Sequence, residues 1–255
     1  QQAAMALVRE SNIVFVGTVV RVGAASFPGV PVSPRTLVAH VDAVLDKPAA
    51  VRLAVGDSVT VDARADTGWR EGTRATFYAT GWILGRGVAV REVGHEILPP
   101  QMSAADLGRR RDAFLQVQRQ VSDSALRARV RAADMIVVGR VESIRAPTLM
   151  PQPRRRITEH DPDWQEAVIV VDSMLKGATA PRVVVRFPAS MDIAWHRLPK
   201  FTAGEAGTFL LQRDSLSGAP QAMMAGRQVP AYVVANRADV LSTADAPRVR
   251  ALLGP

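Results

Sequence analysis

Ser11-Asn12-Ile13-Val14-Phe15-Val16-Gly17-Thr18-Val19 and Ala133-Asp134-Met135-Ile136-Val137-Val138-Gly139-Arg140-Val141 share an apolar run and a glycine at an offset of 122 residues. Further blocks recur in the same order on either side of this pair. Val41-Asp42-Ala43-Val44-Leu45 matches Val171-Asp172-Ser173-Met174-Leu175, and Val59-Thr60-Val61 matches Val183-Val184-Val185. Gly72 with Thr76-Phe77-Tyr78 matches Gly204 with Thr208-Phe209-Leu210, and Ser103 to Asp106 matches Ser242 to Asp245. Each block alone is weak, but colinearity along almost the whole chain is the mark of a duplicated domain. The expected boundaries are residues 1–120 and 121–255.

One unit can therefore be read twice. Val14 to Val22 is β-rich and nearly continuous in apolar residues, the pattern of a strand buried on both faces. Second strands are expected at 37–45 and 167–175, third at 57–62 and 182–187, fourth at 73–80 and 207–212, and fifth at 87–92 and 231–235. Short helices are expected to open each unit at 2–10 and 125–133. Ser-x-x-Asp signals at Ser103/Asp106 and Ser242/Asp245 are expected to start closing helices. Helical patterns do not alternate with the strands, so the expected class is mainly β with flanking helices, as two tandem five-stranded barrels.

Ala133 to Ile144, Val168 to Gly177, the Val-rich third strand and Gly204 to Leu211 together resemble the netrin-like domain. That domain is the OB-type barrel of the tissue inhibitors of metalloproteinases and their bacterial relatives. The second unit matches best, and Ser11 to Val20 and Gly72 to Tyr78 follow in the first. The inhibitors use an amino-terminal Cys-x-Cys to chelate the protease zinc, whereas this chain has no cysteine. The resemblance thus implies a fold and no inhibitory residue.

The composition is that of an ordinary globular chain: 255 residues, 47% apolar and 22% charged. The absence of cysteine excludes disulfides, thiolate metal sites and thiol nucleophiles. No apolar run is long enough to span a membrane as a helix. The start at Gln1-Gln2-Ala3-Ala4, without an initiator Met, leads to the expectation of an exported protein of the periplasm, cell surface or medium. The net charge of +8 sits mostly in one stretch, since residues 102–160 carry 12 basic against 6 acidic residues.

Catalytic signals are absent or better explained locally. Ser173-x-x-Lys176 has the spacing of a penicillin-binding motif but ends a predicted strand instead of opening a helix. Gly85-Arg86-Gly87 reads as a hairpin turn, His95-Glu96 as a surface contact, and His160 in Glu159-His160-Asp161-Pro162-Asp163 as a solvated turn. Arg109-Arg110-Arg111 reads as the polar face of a helix. No catalytic residue, metal ligand or cofactor is expected, and the protein is not expected to be an enzyme.

Function is expected in the loops between first and second strands. Gly23 to Pro34 holds Phe27, Pro28, Pro31 and Pro34, and Arg145 to Asp163 holds Pro147, Pro151, Pro153 and Arg154-Arg155-Arg156. Long Pro-stiffened loops at one position of both repeats suit recognition. The expected contributors are Phe27, Arg154, Arg155, Arg156 and Trp164, engaging a protein partner at the cell envelope. A single-stranded nucleic-acid binder and a structural subunit of a surface filament or envelope complex are the alternatives. Against nucleic acid stand 13 aromatics in the whole chain and nearly neutral strand-bearing blocks.

Overall fold

The computed structural model describes residues 2–65, 68–85, 87–150 and 160–254. The chain is mainly β with flanking helices and divides into two compact units, Gln1–Ser122 and Asp123–Pro255. In the first, helix α1 (Gln2–Glu10) precedes strands β1 (Ile13–Val22), β2 (Thr36–Asp46), β3 (Ser58–Asp62), β4 (Arg74–Leu84) and β5 (Val88–Leu98). These close into a barrel in the order β1-β2-β3-β5-β4. The β3–β5 pairing is parallel and the others are antiparallel.

In the second unit β6 (Met135–Arg145), β7 (Trp164–Lys176), β8 (Arg182–Pro188), β9 (Ala206–Arg213) and β11 (Arg227–Val233) repeat those pairings. Again the third and fifth members, β8 and β11, run parallel, and β11 also meets β9. Strands β10 (Gln221–Met224) and β12 (Val240–Leu241) extend this sheet at its ends. Where β5 is continuous, its counterpart is divided between β11 and β12 by a segment containing the 3-10 turn Arg237–Asp239.

The two halves agree in their irregularities as well. The β1–β2 register shifts after Val14, Val16 and Val19, and the β6–β7 register after Ile136, Val138 and Val141, each at the 122-residue offset. The apolar run has its physical reason here. Ile13, Phe15 and Val19 enter the barrel core while Val14 and Val16 pack under Leu7, Leu107 and Phe114. Met135 and Val137 likewise join the inner cluster, and Ile136 packs with Leu126, Val130 and Val249. Phe15 and Phe77 stack at 5.1 Å, and Trp69 and Phe77 at 5.3 Å.

The expected closing helix of the first unit and opening helix of the second are one continuous helix, α2 (Ala104–Ala132). No proline interrupts it and its one glycine, Gly108, lies in the second turn, so nothing stops it before Ala132. Its start is the expected capping box: Ser103 Oγ accepts from the Asp106 N–H at 3.2 Å, and the Asp106 carboxylate accepts from the Ser103 N–H at 2.9 Å. Ser242 caps only a 3-10 turn, Thr243–Asp245, and helix α3 (Ala246–Leu253) follows it with Pro247 in its first turn.

Lys176, from the Ser-x-x-Lys spacing, has a structural role. Its Nζ donates to the carbonyls of Val130, Arg131 and Ala133 at 3.1, 2.9 and 2.5 Å, at the negative end of the α2 dipole. Lys176→Met is expected to lower the unfolding free energy by about 1–2 kcal/mol in urea titration.

Candidate functional site

Among the described residues of the second unit three large apolar side chains are exposed: Leu216 in the connection after β9, and two close together in the connection that follows β8. Met191 is 68% and Ile193 80% exposed. These two side chains are displayed by a hydrogen-bonded turn. The Asp192 carboxylate accepts from the Ala194 N–H at 2.8 Å, and the Asp192 carbonyl accepts from the N–H groups of Trp195 and His196 at 2.9 and 2.8 Å. The Ser190 N–H donates to the Pro162 carbonyl at 3.0 Å, and the Ala189 N–H to that of Asp163 at 2.9 Å. The turn is thereby fastened to the entry of β7.

Trp164, the first residue of β7, meets Trp195 edge to face at 5.6 Å between ring centres. Trp195 Nε1 donates to the His160 carbonyl at 2.6 Å, and His160 Nδ1 lies 3.0 Å from the Asp192 carboxylate. Asp163, just before Trp164, adopts φ 51°, a left-handed conformation that Asp tolerates better than most residues. The turn that follows β8 therefore carries two exposed apolar side chains, Met191 and Ile193, and one half-buried indole, Trp195, which meets the half-buried Trp164 of β7.

The Ala194 N–H, with His160 adding to it, holds the Asp192 carboxyl below its ordinary value. A depressed folded pKa contributes stability above the unfolded value and loses it as pH falls through the folded one. Tryptophan emission from this turn is expected to change on acidification only below about pH 4, which a fluorescence titration reads directly.

Trp164 thus lies in this cluster, while Arg154, Arg155 and Arg156 lie outside the described residues. Phe27 is half-buried. Its ring lies on Gly87, where an added Cβ would come 2.4 Å from Phe27 Cδ1. The same loop is pinned by the Ser26 N–H donating to Thr60 Oγ1 at 2.8 Å and by the burial of Val30, leaving Val32 54% exposed. Gly85 and Gly87 belong to the connection between β4 and β5, a hairpin as expected.

His95 pairs with Glu92 and not with Glu96. A bulge at Val93 turns Glu92 and His95 to the same side of β5, where His95 Nδ1 lies 2.5 Å from Glu92 Oε1 and its ring 4.5 Å from Trp69. Glu96 accepts from Arg110, whose Nε also donates to Thr76 Oγ1 at 3.1 Å. Of the basic triplet, Arg109 pairs with Asp106 and Arg111 is exposed. Among the described residues no three of His, Asp and Glu are arranged to hold a metal ion. No helix of the described residues is long and apolar enough to cross a membrane.

A buried ionic cluster supports this end of the second unit and was not anticipated. Arg145, Glu166 and Arg186 face one another across β6, β7 and β8. Arg186 Nη2 donates to Glu166 Oε1 at 3.0 Å and Nη1 to Asp214 Oδ2 at 3.2 Å, with all three side chains fully buried. Arg145 Nε donates to Glu166 Oε2 at 3.1 Å, and Thr148 Oγ1 accepts from the Met223 N–H at 2.8 Å. The cluster ties both the connection after β6 and the one after β9 to the sheet. A charged residue alone in each of two apolar runs, Glu166 in 164–171 and Arg186 in 183–187, was its sequence signal.

No protein-family model matches the chain, and no curated protein matches it.

Proposed function

We propose that each unit is an OB-type, netrin-like barrel and that the protein is a non-catalytic binding protein, engaging a protein partner at the Trp164 end of the second unit. The pairing order, with its parallel third and fifth strands in both units, supports the barrel reading. The observation that carries the functional reading is that one turn exposes Met191 and Ile193 and also supplies Trp195, whose ring meets Trp164. A hydrogen-bonded turn that combines exposed apolar side chains with an indole has the composition of an interface core, where Trp contributes disproportionately.

The disposition of the tryptophans speaks against a single-stranded nucleic-acid platform. Trp69 is buried, Trp82 has Arg91 over its ring at 5.0 Å, and Trp164 and Trp195 contact each other.

Ile193→Asp is expected to weaken partner capture at least about tenfold, and Trp164→Ala about thirtyfold, in pull-downs with the purified chain as bait. The melting temperature of the Ile193 variant should stay within about a degree of the parent, because an exposed position contributes little stability. Val55→Asp, at a site 66% exposed in the first unit, serves as the control and should leave capture unchanged. Equal loss in the control, or unchanged capture in both site variants, counts against the reading. So does retention of single-stranded DNA that falls steeply with salt.

A further inference from the structure

We infer that Met191 is a peroxide-responsive site whose oxidation to the sulfoxide turns the apolar face of the 190–196 turn polar and releases the bound partner; the release rests on the protein-binding reading above. The chain has eight methionines, at 5, 102, 135, 150, 174, 191, 223 and 224. Met191 alone among them is exposed, at 68%, while Met135 is 4% exposed and the other six are half-buried. Its exposure is built into the backbone. Ser190 is 9% exposed and tied to Pro162, the Asp192 N–H donates to Ser190 Oγ at 3.2 Å, and Asp192 in turn holds Ala194, Trp195 and His196. Met191 is thus fixed between two anchored residues with its thioether open to solvent.

The oxidant in this proposal is hydrogen peroxide or an organic hydroperoxide. A sulfur lone pair attacks one peroxide oxygen, the S–O bond forms as the O–O bond breaks, and sulfur gives up two electrons while the other oxygen leaves as water or alcohol. The sulfoxide oxygen is a strong acceptor where the Met191 side chain previously offered only a thioether and methylenes. Covered by an apolar partner surface it is left unpaired, which weakens docking about ten- to hundredfold. A sulfoxide reductase reverses the change, so the site is a switch and not a lesion.

The experiment treats the full chain with dilute hydrogen peroxide and follows each methionine by peptide mass mapping, alongside retention on a phenyl matrix and partner capture. Met191 is expected to gain its oxygen about fivefold or more faster than any other methionine. The oxidised parent should elute earlier from phenyl and lose capture, while Met191→Leu given the same treatment keeps both. Oxidation of another methionine first or at an equal rate overturns the inference. Equal shifts in the parent and Met191→Leu, or selective oxidation with unchanged retention, also overturn it. Capture that is lost in Ile193→Asp but survives oxidation defeats the switch and leaves the binding surface standing. Capture that survives Ile193→Asp defeats the binding surface, and partner release with it.

Discussion

Replacing Arg186 with methionine is expected to lower the unfolding free energy of the second unit by about 3–5 kcal/mol, the cost of removing one member of a buried ion network. The guanidinium is 0% exposed and donates to Glu166, Asp214, Ser217 and the carbonyls of Ala219 and Gln221. Methionine can fill part of its volume but leaves the Asp214 carboxylate without that cation, and the two carbonyls without those donors. Against the 5–15 kcal/mol that typically separates folded from unfolded domains, such a loss brings the unit close to its threshold. Arg186→Lys should recover only part, since an ammonium cannot reach both carboxylates and both carbonyls from one planar fork. Denaturant unfolding followed by the emission of Trp164 and Trp195 measures the difference. A loss below about 1 kcal/mol would mean that the cluster is solvated and not buried.

The same cluster shows where a single sequence stops being informative. The equivalents of Glu166 and Arg186 in the first unit are Thr36 and Asp62, which pair in the same register on β2 and β3. The two halves therefore share the backbone position and not the charge, and a comparison of the halves alone does not reveal the ionic cluster. Strands β1 and β6 were legible because a run buried on both faces needs apolar residues at nearly every position, whatever surrounds it. The continuity of α2 was not, because the capping box marks a start and no residue between 113 and 125 marks an end or forbids one. Strands β10 and β12 were missed for another reason: four and two residues are too few to show alternation.

The candidate surface was half legible. Trp164 was singled out because tryptophan near a long loop is suggestive by itself, whereas Met191 and Ile193 lie in 189–200, a stretch with the composition of an ordinary connection. Their exposure follows from the bonds that Asp192 makes to its own neighbours, and a sequence shows the aspartate but not the turn. Phe27 illustrates the converse. An aromatic in a Pro-rich loop reads as an anchor for a partner, and the structure adds what the sequence does not show, that its half-buried ring rests on the chain's own hairpin where Gly87 leaves room for it.

Gly139→Ala should cost about 3 kcal/mol and Gly17→Ala about 1–2 kcal/mol, the range expected for forcing atoms into a packed core. The two glycines are the repeat's shared residue, and both follow a register shift at which the next strand crosses closely. An added Cβ at Gly139 would come 2.2 Å from the Val170 carbonyl oxygen and 3.0 Å from Ile169 Cγ2. At Gly17 the equivalent contact is the His40 carbonyl oxygen at 2.9 Å, with Phe15 Cε2 at 3.0 Å. A carbonyl in a strand ladder cannot move aside without breaking its hydrogen bonds, so the closer approach sets the larger cost. Neither glycine has a positive φ, which removes backbone preference as a competing explanation and leaves the steric one. Urea titrations of the two variants, with the transitions of the two units resolved by limited proteolysis, measure the ordering. Equal losses would show that the strands can separate at this crossing, and the reverse order would show that the two halves do not share the geometry their common glycine implies.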